Sequence, residues 1–342
     1  MAHDPLRWGV LGTGKIGRNA MIPAMLAADN ARLVAVASRD LARAEAALAP
    51  VADRAPGARA LAGYAALLAD PEVEAVYITL PNSQHVEWST RAAQAGKHVL
   101  CEKPLALTAD DARRVVDACR TSNVLLLEGF MYRFHPQTAW TLEQVAAGRI
   151  GPVVTVRGSF AFDIRGRPHD IRLQGALGGG SLLDVGSYPL TYCLAVFAES
   201  PRAVAARAQV PPGAEVEHAV AAALDFGAGR LGVIDCGFRG PRHQRVEIVG
   251  EDGRIVVEAP FTPGTTDTVV RVVRGDETLE KRFAGVDQYR LQLEHFGHAA
   301  RSRSPLAIPP EDAVANAAAI EDIYRAAGYT WPPVAHARSD HP

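Results

Sequence analysis

The sequence predicts an α/β protein in two parts: a doubly wound parallel sheet first, then an α/β domain built on an open, mostly antiparallel sheet. Three observations predict it. The apolar run Trp8–Leu11 leads directly into glycines at G-x-G-x-x-G spacing and then into helical periodicity. Apolar runs alternate with helical stretches up to residue 128, which is the pattern of right-handed βαβ units. From Arg202 to Phe283, short strands alternate with turn signals instead. The expected division is 1–128, 129–330 and a polar, frayed tail over 331–342.

In order, Trp8–Leu11 is read as a buried strand and Ile16–Leu26 as the helix that follows the glycine turn. Arg32–Ala37 is the second strand, and Leu41–Leu48 and Tyr64–Leu68 are helices. Ala75–Leu80 is the third strand, ended by Pro81-Asn82. The helix Gln84–Ala95 stops at Gly96, where a left-handed residue needs no Cβ. Strand His98–Cys101, helix Asp110–Arg120 and strand Val124–Leu127 complete the alternation. The second part opens with helix Thr138–Ala147 and strand Val153–Phe162, and Ser181–Phe197 is a further helix. Ala228-Gly229, Glu251-Asp252-Gly253 and Arg274-Gly275-Asp276 mark hairpin loops. A sheet of about six to eight strands is expected, closed by helices over Tyr289–Arg301 and Glu311–Ala327.

Composition narrows the classes. A net charge of −2 over 342 residues offers nucleic acid or a membrane surface no electrostatic footing. No apolar run is long enough to span a membrane. The opening Met1-Ala2-His3-Asp4-Pro5 lacks the order of a signal peptide, so a cytoplasmic protein is expected. Cys101, Cys119, Cys193 and Cys236 have no paired spacing and read as buried thiols.

The glycine turn carries the first chemistry. Gly12 permits a tight turn, Gly14 lets a pyrophosphate approach, and Gly17 lets helix and strand pack closely. The free amides of Thr13, Gly14, Lys15 and Ile16 and the helix dipole then face phosphates. A carboxylate for the ribose of NAD is due about twenty residues on. Ala37-Ser38-Arg39 stands there instead, with no acid before Asp40. Ser38 can donate to a 2′-phosphate and Arg39 can pair with it, which favours NADP over NAD. The alternative is that Ser38 caps the next helix and Arg39 is solvated. Leu80, Pro81 and Asn82, with His85 one turn later, lie at the carboxyl edge of the predicted sheet, as do Glu102 and Lys103. All of these are candidate cofactor contacts. A cis bond before Pro104 would be a deliberate feature.

Gly178-Gly179-Gly180-Ser181-Leu-Leu-Asp184-Val-Gly-Ser-Tyr188-Pro189 supplies the second chemistry. Asp184 and Tyr188 are four apart and share a helix face, and Lys103 is a plausible partner for the carboxylate. A lysine ammonium near the Tyr188 hydroxyl would favour its ionised form, so the phenol could exchange a proton with a substrate hydroxyl. Arg165, Arg167, His169 and Arg172 precede this helix and are candidate substrate contacts, of which Arg172 is the one retained.

The glycine turn, Cys101-Glu102-Lys103-Pro104, Phe130–Pro136 and Gly178–Pro189 together resemble the Gfo/Idh/MocA oxidoreductase family over Leu6–Ala327. The resemblance implies a Rossmann domain and an α/β domain whose open sheet makes oligomer contacts. It also implies that Lys103 is catalytic and works with Asp184 and Tyr188. Tyr188, where many members carry His, is similar to the branch holding glucose–fructose oxidoreductase, dimeric dihydrodiol dehydrogenase and NADP-dependent xylose dehydrogenase. It speaks against an inositol dehydrogenase.

The function expected is hydride transfer between NADP and a sugar or related cyclic polyol, with no metal. The alternatives are a catalytically silent regulator and a sugar–sugar oxidoreductase with tightly held cofactor. Strands Ala219–Leu224 and Leu231–Ile234 are read as apolar on both faces, so a homo-oligomer, a dimer or tetramer, is expected through the C-terminal sheet.

Overall fold

A computed structural model describes residues 4–330; the expected tail over 331–342 lies outside them. The chain forms two compact units. Among the described residues, the first contains 4–106, Asp110–His135 and Asp287–Val314; the second contains Leu107–Ala109, Pro136–Val286 and 315–330.

The first unit holds a parallel sheet of β1 (Leu6–Leu11), β2 (Ala31–Ser38), β3 (Arg59–Ala62), β4 (Ala75–Ile78), β5 (His98–Cys101) and β6 (Leu126–Glu128). Their order is β3-β2-β1-β4-β5-β6, so the winding reverses between β1 and β4. In such sheets the ligand crevice opens beyond the carboxyl ends at the reversal. All four residues of β4 are buried, as expected where helices cover both faces. β3 went unread in the sequence: it is four residues long, lies at the sheet edge and has no fully buried residue, and its Ala60-Leu61-Ala62 is too short a run to stand out. The first helix begins in a widened π turn over Gly17–Met21 before regular helix Ile22–Ala27.

The helix Gln288–Ser302, assigned above to the second part, belongs to the first unit. Its Phe296 ring lies 5.1 Å from that of Trp8 on β1, and both side chains are fully buried. Burying two aromatic rings outweighs closeness along the chain, so a single cut at residue 128 does not separate the units.

The second unit holds β7 (Val153–Ala161), β8 (Ala203–Gln209), β9 (Ala219–Asp225), β10 (Leu231–Gly237), β11 (His243–Gly250), β12 (Arg254–Val257), β13 (Thr268–Arg274) and β14 (Glu277–Phe283). They are ordered β14-β13-β12-β11-β7-β10-β9-β8. Every neighbouring pair is antiparallel except β7 and β10. The three expected hairpin loops join β9 to β10, β11 to β12 and β13 to β14. Helix Ser187–Phe197 packs on β7, where a Cβ on Gly158 would lie 2.6 Å from that of Pro189. β9 and β10 alternate between buried and exposed residues, with Leu231 43% and Val233 41% exposed. One face of this sheet therefore presents apolar side chains.

Candidate functional site

In the first unit the glycine turn is shaped by one residue, Thr79, just past β4. Gly12 has a φ of +100°, and its Cβ would lie 2.9 Å from the Thr79 carbonyl oxygen. A Cβ on Gly14 would fall 2.6 Å from Thr79 Oγ1, and one on Gly17 would fall 2.8 Å from Thr79 Cγ2. All three glycines are thus required for the turn to close onto β4, which carries its amides to the reversal in the sheet. Lys15 is exposed, and Thr13 and Ile16 are half exposed.

Of the capping alternative, the half that concerns Ser38 fails on local geometry, while Arg39 is exposed. Asp40 caps helix Leu41–Leu48, accepting the Ala42 amide at 2.9 Å. Ser38 is buried and is not the cap. Arg39 hydrogen-bonds the Tyr64 phenol; burial raises the pKa of that phenol, and Arg39 and Arg43 oppose the rise. Tyr64 was missed in the sequence, where it looked like an ordinary first residue of a short helix.

Beyond β4, Leu80 is buried while Pro81 and Asn82 are half exposed, and a 3₁₀ turn over Asn82–Gln84 leads into helix His85–Gln94. His85, expected among cofactor contacts, is fully buried. Its Nδ1 lies 2.7 Å from the Pro104 carbonyl oxygen and its Nε2 lies 2.9 Å from that of Leu80. Burial lowers its pKa, against those two hydrogen bonds, and the Lys103 ammonium pushes the same way as burial. His85 is an internal strut beneath the Lys103 loop. Its neighbours, Asn82-Ser83-Gln84 before it and Val86-Glu87 after, gave no sign of what it ties together.

That loop is held from several sides. The Lys103–Pro104 bond is cis. The Tyr77 hydroxyl donates to Glu102 Oε1 at 2.5 Å, and the Leu105 amide donates to Glu128 Oε1 at 2.8 Å. Burial, with Glu102 adding to it, pushes the Tyr77 phenol well above its ordinary range, so it stays a donor. Glu102 thus has one carboxylate oxygen tied to β4 and is itself half exposed. Lys103 itself is half exposed at the carboxyl edge of the sheet.

In the second unit, Asp184 lies on a widened π turn, Leu182–Gly186, that runs into helix Ser187–Phe197 bearing Tyr188. Four residues fall slightly short of one such turn, so the two side chains keep to one side. Asp184 Oδ2 accepts Arg172 Nε at 2.7 Å, and Arg172 Nη1 reaches Asp170 at 3.2 Å. Asp184 above all raises the guanidinium pKa further. Arg172, expected to meet substrate, is thus a partner of the Asp184 carboxylate. Tyr188 is buried, with its ring 5.4 Å from Phe160 and 5.5 Å from Phe261. Of the other loop candidates, Arg165 is paired with Asp163 in an exposed bridge, and Arg167 and His169 are exposed.

Residues 6–130 match the GFO/IDH/MocA model described as "Oxidoreductase family, NAD-binding Rossmann fold", and residues 138–256 match the GFO/IDH/MocA C-terminal domain. The chain is 39% identical to an uncharacterised oxidoreductase of Rhizobium meliloti, over 95% of this chain and 97% of the relative. It is 35% identical to D-xylose 1-dehydrogenase (NADP(+)) 2 of Haloferax volcanii, over 94% and 97%. Among solved structures, a 3-ketoreductase from Actinomadura kijaniata in complex with NADP and TDP-benzene superposes with a TM-score of 0.87 at 31% identity, covering 94% of this chain and 98% of that one.

Proposed function

This chain belongs to the GFO/IDH/MocA oxidoreductase family, and on that premise we propose that it is an NADP-dependent oxidoreductase moving a hydride between the nicotinamide and a sugar or related cyclic polyol. The observation that carries the reading is the Lys103 loop, braced by His85, Glu128 and Tyr77 at the carboxyl edge of the parallel sheet. A lysine held by three buried groups is a positioned lysine, which general acid–base catalysis requires.

NADP fits the residues present. The Gly12–Gly17 turn is closed onto Thr79 by its three glycines, the strand-to-helix form in which such turns receive a pyrophosphate. Ser38 and Arg39 stand at the ribose end, Tyr64 orients Arg39, and the nearest acid, Asp40, is engaged as a helix cap. A 2′-phosphate suits that set better than a free ribose hydroxyl pair. NADP, when bound, takes up or supplies the hydride. In the roles that the family resemblance implies, Lys103 acts on the substrate hydroxyl and Tyr188 passes the proton. Asp184, the third member of that set, is held by Arg172. Related proteins act on D-xylose and on TDP-linked keto sugars by their names, which supports a sugar as the substrate here. Initial rates with a panel of aldoses, cyclic polyols and nucleotide-linked keto sugars, each with NADP(H) and NAD(H), test the assignment; no turnover on any of them would overturn it.

The exposed apolar face of β9 and β10 supports a homo-oligomer formed through that sheet, and light scattering at micromolar concentration tests it. Among the described residues no helix is long and apolar enough to cross a membrane. All four cysteines are buried and free, which suits the reducing cytoplasm.

A further inference from the structure

The turn that carries Asp184 and Tyr188 begins on a carboxylate to which the function above gives no task. Glu217, in the loop between β8 and β9, has no exposed surface. Its Oε2 accepts the Ser181 amide at 2.6 Å, and its Oε1 accepts the Leu182 amide at 2.9 Å and the Tyr324 hydroxyl at 2.8 Å. Ser181 and Leu182 open the helical segment, where amides have no partner within the helix, and a negative charge there is stabilised by the helix dipole. One buried acid thus joins the start of the Asp184–Tyr188 segment to the helix Glu311–Ala326 that bears Tyr324.

The glycine triplet before Ser181 follows from the same carboxylate. Gly180 has a φ of +125°, and a Cβ on it would lie 2.9 and 3.0 Å from the two Glu217 oxygens. A Cβ on Gly179 would lie 2.5 Å from the Arg172 carbonyl oxygen, and the Gly180 amide donates to that oxygen at 2.9 Å. The turn is therefore wedged between Glu217 on one side and the Arg172 backbone on the other. Arg172 in turn holds Asp184. A shift of Glu217 would move both the segment and the partner of its acid.

We propose that Glu217 is a positioning residue, which sets the placement of Asp184 and Tyr188 by seating the first two amides of their segment on its buried carboxylate. The proposal rests on the oxidoreductase reading for its catalytic consequence, but its structural half can be read without turnover. Charge is part of the device, because an ionised carboxylate accepts all three donors. Burial raises its pKa to about 7 against those hydrogen bonds, so the seat loosens as pH falls through neutrality. The titratable groups packed around it are Cys236 on β10 and the Tyr324 and Tyr329 phenols, each pushed above its ordinary range by burial. The neighbouring His218 is pushed below its own. A transition near pH 7 in this segment accordingly belongs to Glu217.

Glu217→Gln keeps the shape, removes the charge and turns an amide NH₂ toward backbone donors. Hydrogen exchange of the intact protein should then speed up by about tenfold or more at the amides of residues 181–188, with the parallel sheet of the first unit unchanged. NADPH binding, followed by nicotinamide fluorescence, should stay within about twofold. On the best substrate of the sugar panel kcat should fall by about tenfold or more, and its decline below pH 7 should vanish. Wild-type exchange over 181–188, or equal acceleration across the whole second sheet, would overturn the proposal. If no sugar is turned over by the unmutated protein, the oxidoreductase reading fails while the exchange result still decides this one. Should Glu217→Gln not fold, Tyr324→Phe decides: losing one donor to the ionised form must move the pH-dependent loosening of 181–188 to higher pH, and an unmoved transition would count against Glu217.

Discussion

His85→Leu removes both polar contacts beneath the Lys103 loop while keeping a buried side chain of similar bulk. The two ring nitrogens face two carbonyl oxygens, those of Pro104 and Leu80. Carbonyls only accept, so a neutral ring donates to one of them and presents a lone pair to the other. Burial holds the folded pKa below the ordinary 6.5, so the ring is neutral at pH 7.5 and one good hydrogen bond is at stake. Losing it strands a buried carbonyl, at a cost of about 1–3 kcal/mol. The pH dependence has a definite sign. With the folded pKa depressed, the unfolded chain takes up the proton first as pH falls. The contribution of His85 is complete above the ordinary pKa of 6.5 and is lost as pH falls through the depressed folded value. The stability gap between wild type and variant should therefore be largest at pH 7.5 and narrow toward pH 5. Denaturant unfolding followed by the fluorescence of Trp8 and Trp88, both in the first unit, measures it at each pH. Turnover should also fall, by about tenfold to a hundredfold, because freeing Pro104 lets Lys103 move by fractions of an ångström. A variant within about 0.5 kcal/mol of wild type at pH 7.5, with unchanged kcat, would refute the strut.

Tyr188→Phe keeps the ring against Phe160 and Phe261 and removes only the proton carrier, so kcat should drop by about a hundred- to ten-thousandfold with NADP binding intact. Near-wild-type turnover would make Tyr188 a packing residue. Arg39→Asp places like charge where a 2′-phosphate would sit and breaks the contact with Tyr64, so kcat/KM for NADP should fall far more than that for NAD. Equal kcat/KM for the two cofactors in the unmutated protein would contradict the assignment. Gly17→Ala drives a Cβ to within 2.8 Å of Thr79 Cγ2 and should cost about 1–3 kcal/mol by overpacking. Thr79→Ser deletes that methyl and should restore most of the loss, as a double-mutant cycle in thermal unfolding would read.

The sequence by itself determined what depends on near neighbours. The alternation of β1, β2, β4 and β5 with helices was legible because buried parallel strands read as continuous apolar runs. Helix Leu41–Leu48 was legible to the residue, since an Ala-rich stretch is a local helix signal. The glycine turn, the Glu102-Lys103-Pro104 corner and the spacing of Asp184 from Tyr188 are likewise local, and they pointed to the candidate site. Tertiary structure decided which distant groups serve them. Gln288–Ser302 returns to the first unit because Phe296 finds Trp8, a pairing 288 positions apart that no periodicity encodes. Arg172, twelve positions back, is one partner that folding brings to Asp184. His85 looked like one more residue at the sheet edge until its ring was found between two carbonyls. Glu217 gave no signal at all, lying in a polar stretch before β9 that reads as exposed loop. A buried charge is tolerated only where converging donors repay its desolvation, and those donors come from residues 181, 182 and 324. Periodicity and propensity are properties of a few residues in a row; desolvation and hydrogen-bond geometry are properties of a place in space, which the chain assembles only by folding.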